Sequence, residues 1–274
     1  MTTTTSTTVD FPELLAAARE LSLAGRWDRA LRLLDATTPA TSEDHALHRL
    51  AAAEAALQSD WFGGTDLAAE RIAAVPRDSG WDLGFLRLRH DYFRLLRTDG
   101  TFRPGPAGKD PEALARIRRD ALDLREGAPD KVRRGWAAMY LGLIADNLFA
   151  ERTAAPAHYE AALHAGESGG DDLLVREALR HLGDHDHDGG DHDSARARWQ
   201  RATALGARAG MVPGMLTQLM LLAVLARDTG DEAGARALAT EIARWAGAIG
   251  AGPVHEQAAG FLAGADPTAP PSEG

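Results

Sequence analysis

Apolar residues recur every three to four positions along most of the chain, and short breaks rich in Gly and Pro interrupt them. The first such stretch, FPELLAAARELSLAG, begins at Asp10 or Pro12. Proline is tolerated there because the first-turn amides have no helical partner, and Gly25 ends the stretch. RWDRALRLLDA follows with Trp27, Ala30, Leu31 and Leu34 on one face. Ser42 is the expected N-cap of the next helix, whose stripe runs Leu47, Leu50, Ala51, Glu54 and Leu57. Gly63–Gly64 turns the chain into DLAAERIAAV, and a long aromatic helix then runs from Trp81 through Phe85 and Tyr92 to Leu95. The same alternation continues to PVHEQAAGFLAG near the C-terminus. It predicts about thirteen helices, mostly in hairpins, and no strand.

The pattern lapses in three places. Residues 1–9 are a Thr-rich polar tail, and 265–274 are polar with repeated Pro, so both are expected to be disordered. DGTFRPGPAGKDP, residues 99–111, is the most loop-like internal segment and the candidate for a weak boundary within a single unit spanning 10–264.

Composition supports the helical reading. Hydrophobic residues make up 45% of the 274, dominated by Ala and Leu, with few of the β-branched and aromatic residues that favour strands. The net charge of −10 disfavours nucleic acid, which needs a surplus of Lys and Arg to displace counterions. Without Cys there is no disulfide, thiolate nucleophile or Cys-based metal site. No run of about 18 apolar residues predicts a membrane span, and the N-terminus lacks a secretory pattern, so a cytoplasmic protein is expected.

Three turns align with one another: AGRWDRALRLL (24–34), GGDHDSARARW (189–199) and TGDEAGARALA (229–239). Each places a small residue, Ala30, Ala195 or Ala235, five positions after Gly, and a larger one, Leu34 or Trp199, follows four later; Ala239 departs from this. Leu182–Gly183 and Leu141–Gly142 stand in the helices before two such turns. This resembles the tetratricopeptide repeat (TPR) over residues 131–249, less closely over 12–37, and poorly over 42–126. The spacing departs too: Gly190 and Gly230 are 40 residues apart against the family's usual 34 or so. The family's Pro at the end of the second helix is replaced by Ala207 and Gly210. The resemblance implies an all-α, α-α superhelix: a TPR-like solenoid of about six hairpins with a C-terminal capping helix.

Two candidate sites follow. His181, His185 and Asp188 recur at helical spacing on one face, a pattern that can hold a divalent metal, although no Glu follows the first His as a metalloprotease helix requires. The bland account is a solvated polar face, with Asp191 or Asp193 capping the next helix. Independently, the resemblance implies ligand contacts on the first helix of each pair. Carried over, these are Trp136, Met139, Asp146 and Asn147, then Glu177, Arg180, Asp184, His187 and Asp188, then Met220, Arg227 and Asp228. The aromatics Trp61, Phe62, Trp81, Phe85, Tyr92 and Phe93 are expected in the core.

No phosphate loop, nucleophile elbow or paired catalytic carboxylates are visible, and no catalytic residue is assigned. The expected function is a regulatory or scaffolding interaction module that binds a protein or peptide in its concave groove, without nucleic acid, membrane or cofactor. The alternatives are a metal-dependent site or enzyme at 181–192 and a free-standing small-molecule sensor. Homodimerisation through the terminal helices is compatible with either.

Overall fold

The computed structural model describes residues 9–98 and 101–265. Among these, thirteen α-helices account for nearly all regular structure: α1 (Phe11–Leu23), α2 (Trp27–Asp35), α3 (Ser42–Gln58), α4 (Ala68–Ala73), α5 (Gly80–Leu96), α6 (Pro111–Glu126), α7 (Lys131–Asn147), α8 (Ala155–Gly169), α9 (Asp172–Asp188), α10 (His192–Arg208), α11 (Val212–Asp228), α12 (Glu232–Ile249) and α13 (Gly252–Leu262). The protein is all-α. Against the expectation of no strand, β1 (Arg97–Thr98) and β2 (Thr101–Phe102) form a minimal antiparallel ladder where the end of α5 leads into the 99–111 segment. The two predicted tails lie outside the described residues, apart from Val9 and Ala265.

The second half is metrically regular. Gly170, Gly190, Gly210, Gly230 and Gly250 fall every 20 residues, and each adopts φ between +69° and +81° or, at Gly230, +90°. This left-handed conformation is nearly free only for Gly, so each one reverses the chain after a helix. Four of the helices start on an Asp whose side chain accepts from the amide three residues on. These are Asp130 to Arg133, Asp171 to Leu174, Asp191 to Ser194 and Asp231 to Gly234. Of the two predicted capping residues, Asp191 is the one used. At α3 the cap is Thr41 and not Ser42: its hydroxyl accepts from Asp44 N, and Ser42 is already the first helical residue.

Consecutive helices pack in antiparallel pairs and form a solenoid-like arrangement. Each even-numbered helix touches the odd-numbered helices before and after it, whereas most odd-numbered helices also pack against one another. The odd helices thus form one wall and the even helices an outer layer. Within pairs, close approach depends on two glycines facing aromatic rings. A Cβ on Gly183 would lie 2.5 Å from the Trp199 ring, and one on Gly142 would lie 2.4 Å from Tyr159. Both rings are almost fully buried.

One apolar cluster runs from Tyr92 and Leu96 of α5 through Leu114 and Ile117 of α6 to Leu174 and Leu182 of α9. The core therefore continues across the 99–111 segment, which is pinned back by Gly105 N donating to Asn147 O at 2.7 Å.

The N-terminal hairpin and the π turn after α3 meet the C-terminal helices. Trp27 is buried in a cluster with Leu216 and Met220 of α11, Ile242 of α12 and Val254 and Phe261 of α13. It stacks parallel to Phe62, which sits in a single π-helical turn (Ser59–Gly63) that also contacts α13. The π turn is stabilised by Asp60, which accepts from Thr65 Oγ1, Leu67 N and Ala68 N and so caps α4. Faces of α2 and α13 that an end-to-end homodimer would use are thereby partly spent within the chain.

Candidate binding wall

The odd-numbered helices carry a ladder of polar contacts, one or more at each joint from α3 to α13. Arg89 of α5 holds Glu54 of α3 through both terminal nitrogens. Asn147 of α7 donates to the Tyr92 hydroxyl of α5 at 2.8 Å. His185 of α9 meets Asp146 of α7 at 2.9 Å, and His187 of α9 meets Asp228 of α11 at 2.8 Å. Arg176 of α9 donates to Gly214 O of α11, and Arg227 of α11 donates to Phe261 O of α13, both at 2.7 Å.

Between these joints lies a charged and aromatic surface. Glu54, Arg89, Glu177, Arg180 and Asp184 each keep between 20% and 35% of the side chain accessible. Aromatic rings connect them: Phe85 lies 5.3 Å from Tyr140, Tyr140 lies 5.5 Å from Tyr92, and Trp61 lies 6.4 Å from Tyr92. Trp61, predicted as core, is 38% exposed. Phe62, Trp81, Phe85 and Phe93 are half-buried, and only Tyr92 of that group is fully in the core.

The electrostatics follow from this crowding. Burial opposes ionisation of Glu177, but the Arg176 guanidinium and His181 beside it hold its pKa far below the usual carboxylate range. Glu54 is likewise held down by Arg89 against the cost of burial. Burial pushes the Tyr92 and Tyr140 phenols up, so both remain neutral donors. Burial lowers the pKa of Arg176, which Glu177 only partly offsets. His181 is opposed by burial and by Arg180, yet the carboxylates of Asp184 and Glu177 prevail and raise its pKa.

Several sequence expectations need correction here. Met139 and Met220 are buried to 0% and 1% in the apolar clusters and do not line the wall. Their unbranched side chains fill space between helices instead. Arg227 lies over the Phe261 ring at 3.3 Å and serves the α11–α13 joint. Trp136 donates to the Asp171 carboxylate at 3.2 Å. Asp146, Asn147, His187 and Asp228 belong to the joints described above. Glu177, Arg180 and Asp184 remain together on the accessible part of the wall.

The proposed metal trio does not converge. His181 faces Glu177 through Nε2 at 3.5 Å and Asp184 through Nδ1 at 3.4 Å, so its two carboxylates lie on opposite edges of the ring. His185 turns to Asp146, and Asp188 pairs with Arg152. A shared ion requires its ligands to aim at one point, and no group of three or more potential ligands does so among the described residues. Asp186, on the apolar side of α9, reaches Arg198 of α10 at 3.1 Å.

Two hollows lie off this surface. One, of about 270 Å³, is bordered by Asp60, Thr65, His90 and Arg94 beside the π turn; the other, of about 190 Å³, is an apolar slot formed by Leu219 of α11 with Leu238 and Trp245 of α12.

Comparison with known proteins finds no relatives: no family model matches the chain, and no curated protein matches it significantly. No described helix is long and apolar enough to cross a membrane. The wall's own chemistry must therefore carry the functional reading.

Proposed function

We propose that the chain is a TPR-like, non-catalytic interaction module of the cytoplasm that binds a peptide segment of a partner along the wall of odd-numbered helices. The observation that carries this reading is the accessible strip of Glu54, Arg89, Glu177, Arg180 and Asp184 interleaved with Phe85 and Tyr140. Aromatic rings supply contact area at low entropic cost, and the charges fix direction and register. The Gly183–Trp199 and Gly142–Tyr159 contacts support the TPR-like part, because the resemblance expects a small residue on the first helix of a pair at that position.

Selection of binders from a random peptide library is the direct test. Selected peptides are expected to lose at least tenfold in affinity with Arg180→Glu or Tyr140→Ala, and to keep it with Arg201→Glu on outer helix α10. Equal affinity across the four proteins would remove the wall from the interface. The meeting of the chain's ends favours a second reading, a free-standing sensor for a small polar molecule, because it restricts sideways entry of a bulky partner. Such a sensor would be revealed by thermal stabilisation with a defined metabolite.

A further inference from the structure

Four arginines occupy the odd-numbered helices at the ladder, and three of them are spent. Arg89 gives both terminal nitrogens to Glu54. Arg176 gives one to Glu177 and one to Gly214 O. Arg227 gives both to carbonyls at the end of α13. Arg180 differs. Only its Nη1 is engaged, with His181, and its nearest carboxylate, Asp184, is 3.7 Å away. Its Nε and Nη2 have no acceptor among the described residues. Neither is sealed from solvent, in contrast to Arg176 Nε, which is. With a quarter of its side chain accessible, Arg180 turns a free two-donor edge toward the open side of the wall. A guanidinium edge of this kind matches the spacing of two oxygens on a carboxylate or phosphate.

The contact that Arg180 does make is informative. Its Nη1 lies 2.9 Å from His181 Nε2 and 3.5 Å from Nδ1. Such similar distances to both ring nitrogens place the guanidinium over the face of the imidazole and not on the Nε2 lone pair, so its positive charge opposes protonation of His181. Glu177 and Asp184 stand at 3.5 and 3.4 Å on either edge of the same ring, placed to accept from both nitrogens of an imidazolium. The other groups around the ring are Tyr159 of α8, stacked at 5.1 Å with its hydroxyl turned to Asp146, and the Trp199 indole of α10 beside Asp184. Neither adds a second cation. Arg180 is the one cation beside the ring that opposes its protonation, in addition to burial.

We propose that Arg180 anchors an oxyanion of the groove's ligand, and that seating this oxyanion lets His181 take up a proton. The ligand oxygens accept from the free Nε and Nη2 edge and offset the Arg180 charge that faces the imidazole. Uptake of a proton from solvent by the ring is then favoured, and the imidazolium bridges Glu177 and Asp184. Within the His181 titration range the bound state holds more protons than the free state, so affinity rises as pH falls through it. This rests on the binding wall proposed above and specifies its chemistry.

The test uses the full chain with benzoate and inorganic phosphate as separate probes, and benzamide as the uncharged control. Histidine side-chain NMR follows the His181 midpoint, identified by the signal lost in His181→Gln. A probe that binds is expected to raise that midpoint. Calorimetry in two buffers of different ionisation enthalpy is expected to show up to one proton taken up per ligand. Arg180→Gln should weaken the probe at least tenfold and, without any probe, should itself raise the His181 midpoint. If that variant fails to fold, the wild-type titration decides alone. Whichever of benzoate and phosphate binds identifies the oxyanion as carboxylate or phosphate. Binding that leaves the His181 midpoint unmoved overturns the proposal, as does binding indifferent to Arg180→Gln, or binding of neither anion. In the last case, retained peptide binding would leave the interaction reading intact and remove only the oxyanion site.

Discussion

Gly183→Ala gives the sharpest test of how the helix pairs are packed, because two effects predict opposite signs. Gly183 lies in the interior of α9, where Ala is favoured over Gly by about 1 kcal/mol on helix propensity alone. The added Cβ, however, would sit 2.5 Å from Trp199 Nε1 and 2.6 Å from Cδ1, about 1 Å inside normal contact. Trp199 cannot easily yield: it is 1% exposed, and its Nε1 donates to Arg180 O at 2.9 Å. Overpacking of this kind costs about 1–3 kcal/mol, and loss of the indole hydrogen bond adds about 1 kcal/mol. The net expectation is destabilisation by about 1–3 kcal/mol. Gly247→Ala on α12 is the matched control, since its Cβ would meet only His255 at 3.5 Å, and it should be neutral or stabilising by up to about 1 kcal/mol. Urea denaturation with a common slope reads both variants. A Gly183→Ala protein as stable as the parent, or more so, would show that the α9–α10 contact is not the close approach described.

Other consequences can be checked in parallel. Trp27→Ala, which empties the site where the chain's ends meet, should cost about 3–5 kcal/mol and increase the hydrodynamic radius; an unchanged radius would argue against the closure. Hydrogen bonds from His185 and the Arg152 charge hold the Asp146 pKa below its ordinary value against the cost of burial. Its contribution is therefore complete above about pH 4 and lost as pH falls further. Asp146→Asn should cost about 1.5–3 kcal/mol at pH 7, and its deficit in melting temperature should shrink between pH 5 and 3; a constant deficit would refute the assignment. Zinc or nickel in modest excess should leave the melting temperature unchanged, and a rise of several degrees would show that His181, His185 and Asp188 converge after all.

The helices were legible because each announces itself through an amphipathic stripe and a Gly or Pro break. The 20-residue spacing of Gly170, Gly190, Gly210, Gly230 and Gly250 is equally legible in the sequence. What the sequence did not reveal lies in partners distant along the chain. His185 and His187 look like one metal face until Asp146 and Asp228, 39 and 41 residues away, draw them in opposite directions. Met139 and Met220 fall on groove positions by register, but both side chains pack into the apolar clusters between helices. The contact of Trp27 with α11 and α13 depends on accumulated superhelical rotation, which no local pattern encodes. The free edge of Arg180 was equally invisible, since its significance comes from three neighbouring arginines being already engaged.

The closure of the ends also changes how such a chain should come apart. In an open array each repeat leans only on its neighbours, so the two terminal repeats are the least protected and unravel first. Here the π turn and Trp27 bind the beginning of the array to α11 and α13, so the terminal units gain the neighbour they would otherwise lack. Amide exchange in α2 and α13 should then be nearly as slow as in α7, and should become fast in both together once that single seam is broken.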